Sequence, residues 1–347
     1  MPVIWLIDAY RAGEQNQVRA LVEELGWPCE TKRLAYRKHV VLPHVLGQAS
    51  LRGITAESAA MLQAPWPDLV ISSGVRNEPV CRWIRARSGG RTRYVHVGRP
   101  WGSLDSFDLV ITTPQYRVPQ RGNVLNNMLT LHRVSAGRLA AARTEWSDTF
   151  DSLPRPRIAV IVGGDSGPFT LGPKAATRLA RQASALARQH GGSLLVSTSS
   201  RTSEGAIAAL RKVIDVPNYF YRWQADDAAN PYFGILAAAD RLVVTGDSIA
   251  MLSEACATGR PVQMFDVGGM RVDADVPTDF RLGGFLYAFL MRWLWEPLSR
   301  DITLVHGQLR AASRAFWLDE EFGASVVPAE SDMQRAVVAV KGLLGQV

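Results

Sequence analysis

Ile158–Leu171 reads IAVIVGGDSGPFTL. A run of apolar, mostly β-branched residues stops at two glycines, small and polar residues follow, and a helical stretch begins soon after. A buried strand that hands over to a helix through a tight turn is the βα half of a parallel βαβ unit. Such a turn leaves backbone amides at a helix N-terminus, where a phosphate can sit against the positive end of the helix dipole. The pattern is not a Walker A loop, because no Gly-Lys-Ser/Thr follows, and it is not GxGxxG. A plain βα turn is the equal alternative for this stretch alone.

Working outward, strand-like runs recur at Leu194–Thr198, Tyr219–Arg222, Leu242–Thr245 and Val262–Phe265 on one side of the chain. On the other side lie Val3–Asp8, Asp68–Ser72, Tyr94–Val97 and Asp108–Thr112, with helices near Gln15–Leu25 and Glu78–Arg87. Alternating short apolar runs and helices define the α/β class, and two such series predict two sheets. Between them, Asp148–Pro156 (DTFDSLPRP) carries two prolines, which lack an amide donor and fix φ. The expected organisation is therefore a domain over 1–150, a second over 157–330, and a C-terminal helix over 331–347 that crosses back to the first. After Val262–Phe265 the chain reads as helical through Gly283–Trp295, Asp301–Trp317 and Met333–Leu344.

Composition narrows the function classes. The 347 residues are 47% hydrophobic and 20% charged, with 39 Lys+Arg against 32 Asp+Glu and a net charge of +7. That balance favours anionic partners such as nucleotides or phospholipid head groups. The cationic residues are scattered and no zinc-finger, RNP or KH pattern appears, so no nucleic-acid partner is expected. Cys29, Cys81 and Cys256 lie far apart without CxxC spacing, which predicts neither a zinc site nor a disulfide framework and fits a reducing compartment. The start, MPVIWLIDAYRAG, lacks the basic flank of a signal peptide, and no apolar window reaches about 18 residues. A cytoplasmic protein, at most peripheral on a membrane, is the expectation.

Two further turns resemble the first in position. Leu194–Arg201 (LLVSTSSR) with Thr202 runs from a strand into hydroxyls and one guanidinium, which suits a phosphate; a polar loop is the alternative. Thr245–Val262 (TGDSIAMLSEACATGRPV) places Ser248 as the cap of a helix and Glu254 about a turn and two-thirds further on. A carboxylate there can accept both ribose hydroxyls, though a solvated helix charge is the alternative. All three turns fall at carboxyl ends of predicted parallel strands, where open α/β sheets bind ligands. The candidate nucleotide site is therefore Gly163, Gly164, Asp165, Ser166 and Gly167, then Ser199, Arg201 and Thr202, then Gly246, Asp247, Ser248, Met251 and Glu254. The other domain would face it across a cleft.

GGDSGPFTL (Gly163–Leu171), STSSRT (Ser197–Thr202) and TGDSIAMLSEACATGRPV (Thr245–Val262) together resemble the bacterial and plant family named for a mitochondrial-fission protein, whose members are also described as glycosyltransferases. Asp8 with Gly13 and Asn16-Gln17, PDLVISSG (Pro67–Gly74) and FDLVITTPQYRVP (Phe107–Pro119) followed by Gly122-Asn123-Val124 add to the resemblance. Pro114-Gln115-Tyr116 and Ser200 depart from it. The resemblance implies two Rossmann-like domains in a GT-B-like fold, similar to the N-acetylglucosaminyltransferase of peptidoglycan synthesis, with Glu254 on the donor ribose. It implies transfer of a sugar from a nucleotide-sugar donor to a cell-envelope glycan or lipid-linked acceptor. A non-enzymatic adaptor and a nucleotide-sugar epimerase are the alternatives on the same architecture.

Glycosyl transfer needs the diphosphate leaving group neutralised. No DxD stands in a site-like turn, and Asp273-Ala274-Asp275 has only the spacing, so helix N-termini and Arg201 are expected to meet the charge, with no metal and no cofactor. Asp8, at the end of a strand, is the candidate general base, with Gly13, Asn16 and Gln17 in the acceptor-side loop; capping of its own turn is the alternative for Asp8. His96, inside an apolar strand, reads as core. Gly283–Trp295 (GGFLYAFLMRWLW) is apolar nearly all round and reads first as a buried helix. Its aromatics beside arginines also suit peripheral contact with an anionic membrane, at the inner face of the bacterial inner membrane.

Overall fold

Val- and Ile-rich runs become the interior strands of two parallel sheets in the computed structural model, which describes residues 1–37, 48–271, 276–293, 300–320, 326 and 328–345. The chain divides into two units, Met1–Arg133 with Ala329–Val347, and Val134–Pro328. Residues 134–150, expected with the first domain, belong to the second.

Unit 1 runs β1 (Ile4–Ile7), α1 (Ala12–Leu25), β2 (Cys29–Lys32), α2 (Ala56–Ala60), β3 (Leu69–Ser73), α3 (Glu78–Arg87), β4 (Arg93–Val97), β5 (Leu109–Thr112) and β6 (Val124–Asn126). Its sheet order is β2-β1-β3-β4-β5-β6, with Ile4 opposite both Cys29 and Leu69. Central β1 and β3 are buried along their whole length, as strands covered by helices on both faces must be. β2 (CETK) and β6 (VLN), absent from the sequence reading, are polar or short strands at the two edges.

Unit 2 runs α4 (Ala136–Glu145), α5 (Ser147–Phe150), β7 (Arg157–Ile161), α6 (Pro173–Gln189), β8 (Ser193–Ser197), α7 (Glu204–Val213), β9 (Asn218–Tyr221), α8 (Tyr232–Ala238), β10 (Arg241–Thr245), α9 (Ile249–Ala257), β11 (Val262–Phe265), α10 (Leu282–Trp293), α11 (Thr303–Ala311) and β12 (Phe316–Trp317). Its sheet order is β12-β11-β10-β7-β8-β9. α4 packs along α8, and a Cβ at Gly234 would lie 2.5 Å from the Trp146 ring. That close packing is why the stretch ahead of the prolines joins unit 2. The expected helix Asp301–Trp317 is shorter: Thr303–Ala311 is helical, and Phe316–Trp317 pairs with β11 as an edge strand.

The chain proceeds from β7 to β8 and β9 on one side, then returns past β7 to β10 and β11 on the other. The order therefore reverses between β7 and β10, and ligand crevices of open α/β sheets form at such a reversal. Gly163 and Thr245–Ser248 follow the two strands that flank it.

The last helix, α12 (Asp332–Leu343), lies in unit 1. Met333, Ala336 and Val340 enter one buried cluster with Val18, Leu21 and Leu25 of α1. Ser331 and Gln334 form a reciprocal capping box, satisfying two N-terminal amides that would otherwise lack partners.

Candidate functional site

The two glycines after β7 are required by close approach. A Cβ at Gly163 would lie 2.4 Å from the Asp247 carboxylate, and one at Gly164 would lie 2.0 Å from the Arg201 carbonyl oxygen. Gly163 N–H donates to Thr245 Oγ1 at 2.8 Å, and Gly164 N–H donates to Asp247 Oδ2 at 3.0 Å. Of the three glycines in this turn, Gly167 alone has a left-handed backbone, with φ +57°.

The hydroxyl turn closes on the same place. Ser199 Oγ donates to the Gly163 carbonyl at 2.8 Å, and Thr202 Oγ1 donates to the same oxygen. Arg201 reaches both neighbours: its Nη2 lies 2.8 Å from Asp247 Oδ2 and its Nη1 donates to the Asp165 carbonyl at 2.9 Å. The three turns are thus brought together, and buried Asp247 is their hub. The Gly163 and Gly164 amides, expected to be free for a phosphate, are taken up by Thr245 and Asp247. The Gly164 amide and the Arg201 guanidinium both serve Asp247, in an ion pair whose guanidinium is 38% exposed.

Asp165 and Ser166 shape the turn. Asp165 Oδ1 accepts the Leu171 amide at 3.0 Å and Oδ2 lies 3.3 Å from Arg281 Nε, while the backbones of Ser166 and Phe169 exchange two hydrogen bonds of 3.0 Å. Arg281 also donates to the Gly167 carbonyl at 2.7 Å. Arg281 was not among the expected site residues, because nothing in the sequence ties residue 281 to residue 165.

In the third turn, Gly246 N–H donates to the Phe265 carbonyl at 2.9 Å, and its own carbonyl accepts from His306 Nε2 at 2.8 Å. Burial holds the His306 imidazole down to about 4, so the ring is neutral and carries its proton on Nε2. Ser248 caps α9 by accepting the Met251 amide at 3.5 Å. Partly buried Glu254 accepts a hydrogen bond from Tyr232 Oη at 2.5 Å. Burial pushes this carboxyl up to about 7, against the opposing pull of the Tyr232 hydrogen bond. The Tyr232 hydroxyl is pushed well above its ordinary value by burial and by the Glu254 charge. Tyr232 and His306 were missed; each comes from an element whose position the local sequence does not encode.

In unit 1, Asp8 is buried and its Oδ2 lies 2.6 Å from Arg19 Nη2 and 3.8 Å from Arg33 Nε, while Oδ1 accepts the Ala9 amide at 3.1 Å. Asp8 is thus engaged by a guanidinium and by the amide of its own turn, the capping role that is the alternative to a general base. Gly13 and Asn16 are exposed on the first turns of α1, and Gln17 donates to the Gly13 carbonyl at 3.3 Å. His96 is buried against Tyr94 Oη and the Arg99 carbonyl, and burial lowers its pKa.

The buried-helix reading of Gly283–Trp295 is also corrected. α10 covers Leu282–Trp293 among the described residues, and Leu282, Phe285, Leu286 and Phe289 are exposed. Asp273-Ala274-Asp275 and residues 294 and 295 lie outside the described residues. Among the described residues, no cluster of His, Cys, Asp and Glu could hold a metal ion, and no helix is long and apolar enough to cross a membrane.

Two parallel Rossmann-like units, one with glycine, hydroxyl and helix-cap turns meeting where its strand order reverses, define the GT-B-like class. The chain belongs to the family described as Mitochondrial fission ELM1, which matches residues 12–275. The Arabidopsis thaliana protein named Mitochondrial fission protein ELM1 is 27% identical over 238 residues, 62% of this chain and 55% of the plant protein. The match thus spans little more than half of that relative. A Rickettsia prowazekii (strain Madrid E) protein, named as uncharacterized, is 24% identical over 294 residues, 76% of this chain and 82% of its own. Among solved structures, a Listeria monocytogenes protein assigned as a UDP-N-acetylglucosamine 2-epimerase shares the fold, at TM-score 0.51 and 12% identity, over 99% of this chain and 97% of that one.

Proposed function

We propose that this protein is a metal-independent GT-B-type glycosyltransferase. Unit 2 takes a nucleotide-sugar donor, and the sugar passes to a cell-envelope glycan or lipid-linked acceptor at the inner face of a bacterial membrane. The observation that carries the reading is the meeting of three turns at the reversal between β7 and β10, with Glu254 already accepting a hydroxyl at 2.5 Å. A ribose hydroxyl offers the same chemistry as Tyr232 Oη, so nucleotide binding exchanges one hydroxyl for another. The diphosphate recruits the exposed side of Arg201 while Asp247 keeps that guanidinium aimed, and the departing charge meets a preorganised cation. Gly13, Asn16 and Gln17 on α1 of unit 1 offer polar groups to the acceptor.

One observation favours the adaptor alternative: Asp247 already neutralises Arg201. A thermal-shift screen with UDP, GDP, CMP and TDP separates the two, because a ligand of the native state raises its stability by mass action. Stabilisation by one nucleoside diphosphate, followed by release of that diphosphate from its sugar conjugate, supports transfer. No stabilisation by any nucleotide refutes the reading in favour of the adaptor, and an altered nucleotide-sugar without release refutes it in favour of an epimerase.

A further inference from the structure

α10 rests on the glycine turn through one side. A Cβ at Gly284 would lie 3.1 Å from the Pro168 carbonyl, the Tyr287 ring lies 3.1 Å from where a Gly167 Cβ would stand, and Arg281 ties the preceding residue to the glycine turn. The other side carries Leu282, Phe285, Leu286 and Phe289 at positions i, i+3, i+4 and i+7, with Phe280 just before them. These five are between 54% and 80% exposed. That spacing puts the four helical residues on one ridge, and soluble surfaces rarely expose large apolar side chains as crowded as Phe280, Leu282, Phe285 and Leu286.

Beside the ridge runs a cationic stripe. Lys174, Arg178 and Arg181 follow one another at i, i+4 and i+7 on α6 and line a surface depression with Pro277; half-buried Arg178 turns inward, over the Phe265 ring at 4.5 Å and donating to the Asp266 carbonyl at 2.7 Å, so Lys174 and Arg181 supply the outward charge. Thr278, Asp279, Phe280, Arg281 and Phe285 line the neighbouring one. Asp279 joins the two features, accepting the Lys174 and Ala175 amides at 3.1 and 2.9 Å. The acidic groups at the seam are therefore consumed, Asp279 by helix amides and Asp165 by Arg281 at 3.3 Å. Lys174 and Arg181 are exposed and carry no ion pair among the described residues.

We propose that the α10 ridge and the α6 stripe form one docking surface for an anionic lipid bilayer. Phe280, Leu282, Phe285 and Leu286 enter the acyl boundary, and Lys174 and Arg181 meet lipid phosphates. The proposal rests on the membrane-side part of the function proposed above and names the surface responsible. Charge decides between occupants: in a symmetric pair of copies joined by the ridge the two cationic stripes would lie beside one contact, whereas a bilayer offers hydrocarbon beneath a layer of negative charge. Docking there would hold the Gly167–Thr170 turn, on which α10 rests, close to the membrane.

The test is co-sedimentation with phosphatidylglycerol-containing vesicles and with pure phosphatidylcholine vesicles, at low salt and at about 1 M salt, where the screening length is about 3 Å. The parent chain should bind the anionic vesicles at low salt and lose them at high salt. Lys174→Gln with Arg181→Gln should weaken that binding roughly 25-fold, at roughly fivefold per charge, and Phe280→Ser with Phe285→Ser should weaken it more than about tenfold. Thermal shift with the preferred nucleotide should be unchanged in both variants, since neither changes a residue of the three turns. Nucleotide stabilisation without vesicle binding overturns the surface and leaves the donor site standing; vesicle binding without nucleotide stabilisation does the reverse. Parent-like binding by the Phe variant overturns the ridge. A parent dimer that the Phe variant makes monomeric, with vesicle binding unaltered, assigns the ridge to a second copy and also overturns the proposal.

Discussion

Asp247→Asn tests the reasoning about the three turns most directly. The buried carboxylate accepts the Gly164 amide at 3.0 Å and faces Arg201 Nη2 at 2.8 Å. Both contacts fall on Oδ2, so an asparagine oxygen can keep both as hydrogen bonds but loses the charge, and the contact with Arg201 becomes weak. Hydrogen bonds to charged groups contribute about 1.5–3 kcal/mol each, and breaking a fully buried pair costs about 3–5 kcal/mol. Arg201 retains solvent contact, which places the loss at the lower end, about 2 kcal/mol. At about 2–4 °C per kcal/mol for a unit of this size, the melting temperature should fall by about 4–8 °C. The same change releases the guanidinium from its counter-charge, so a nucleoside diphosphate should bind more tightly relative to the nucleoside. Scanning calorimetry and titration with both ligands read the two effects in opposite directions. An unchanged melting temperature together with an unchanged phosphate preference would show that Asp247 neither joins the turns nor restrains Arg201.

Glu254, pushed from 4.5 up to about 7, binds its proton more tightly folded than unfolded, so it should cost stability as pH rises from about 4.5 to about 7, on the order of 3 kcal/mol in all. Glu254→Gln should flatten that limb of the denaturation profile. Nucleotide affinity should grow through the same interval as the carboxylate forms, and Tyr232→Phe, which removes the hydrogen bond that favours the charged form, should move its midpoint upward. His306 has the opposite sign: held down to about 4 from 6.5, it supports the fold above about 6.5 and loses that support as pH falls towards about 4. His306→Gln should therefore make the acid limb of the urea-denaturation profile shallower. Gly164→Ala, whose new Cβ would lie 2.0 Å from a backbone oxygen, should cost more than about 3 kcal/mol; Gly13→Ala, with open space around it, should stabilise α1 by about 0.5–1 kcal/mol, and chemical denaturation of the two measures the contrast.

The α/β class was legible because parallel strands covered on both faces need unbroken apolar runs, and IWLI, LVISS and RIAVI are such runs. Cys29–Lys32 and Phe316–Trp317 were not legible, since edge strands bury little and carry no pattern of their own. The three turns could be found from glycines and hydroxyls after strands, yet not their internal electrostatics. Asp247 and Arg201 are far apart in the sequence, and only the adjacency of β7, β8 and β10 brings them into contact. The same limit explains Asp8, whose partner Arg19 lies on the next helix, and Tyr232, whose partner Glu254 lies beyond the next strand. In α10, near-uniform apolarity signalled burial, whereas the small Gly284 and the Gly167 turn determine which side is covered.

The return of α12 to unit 1 sets the order in which the molecule can be completed during synthesis. Val18, Leu21 and Leu25 wait for Met333, Ala336 and Val340, and the Met128 and Leu129 amides wait for the Asp332 carboxylate, which accepts them at 3.1 and 3.0 Å. These partners leave the ribosome only after all of unit 2 has been translated. The amino-terminal half is thus made first and finished last, with an apolar strip uncovered while the later half folds. Domains usually mature in the order in which they emerge; here the tail acts as a latch, and the nascent chain is open to chaperones and proteases on its first-made half until that latch closes.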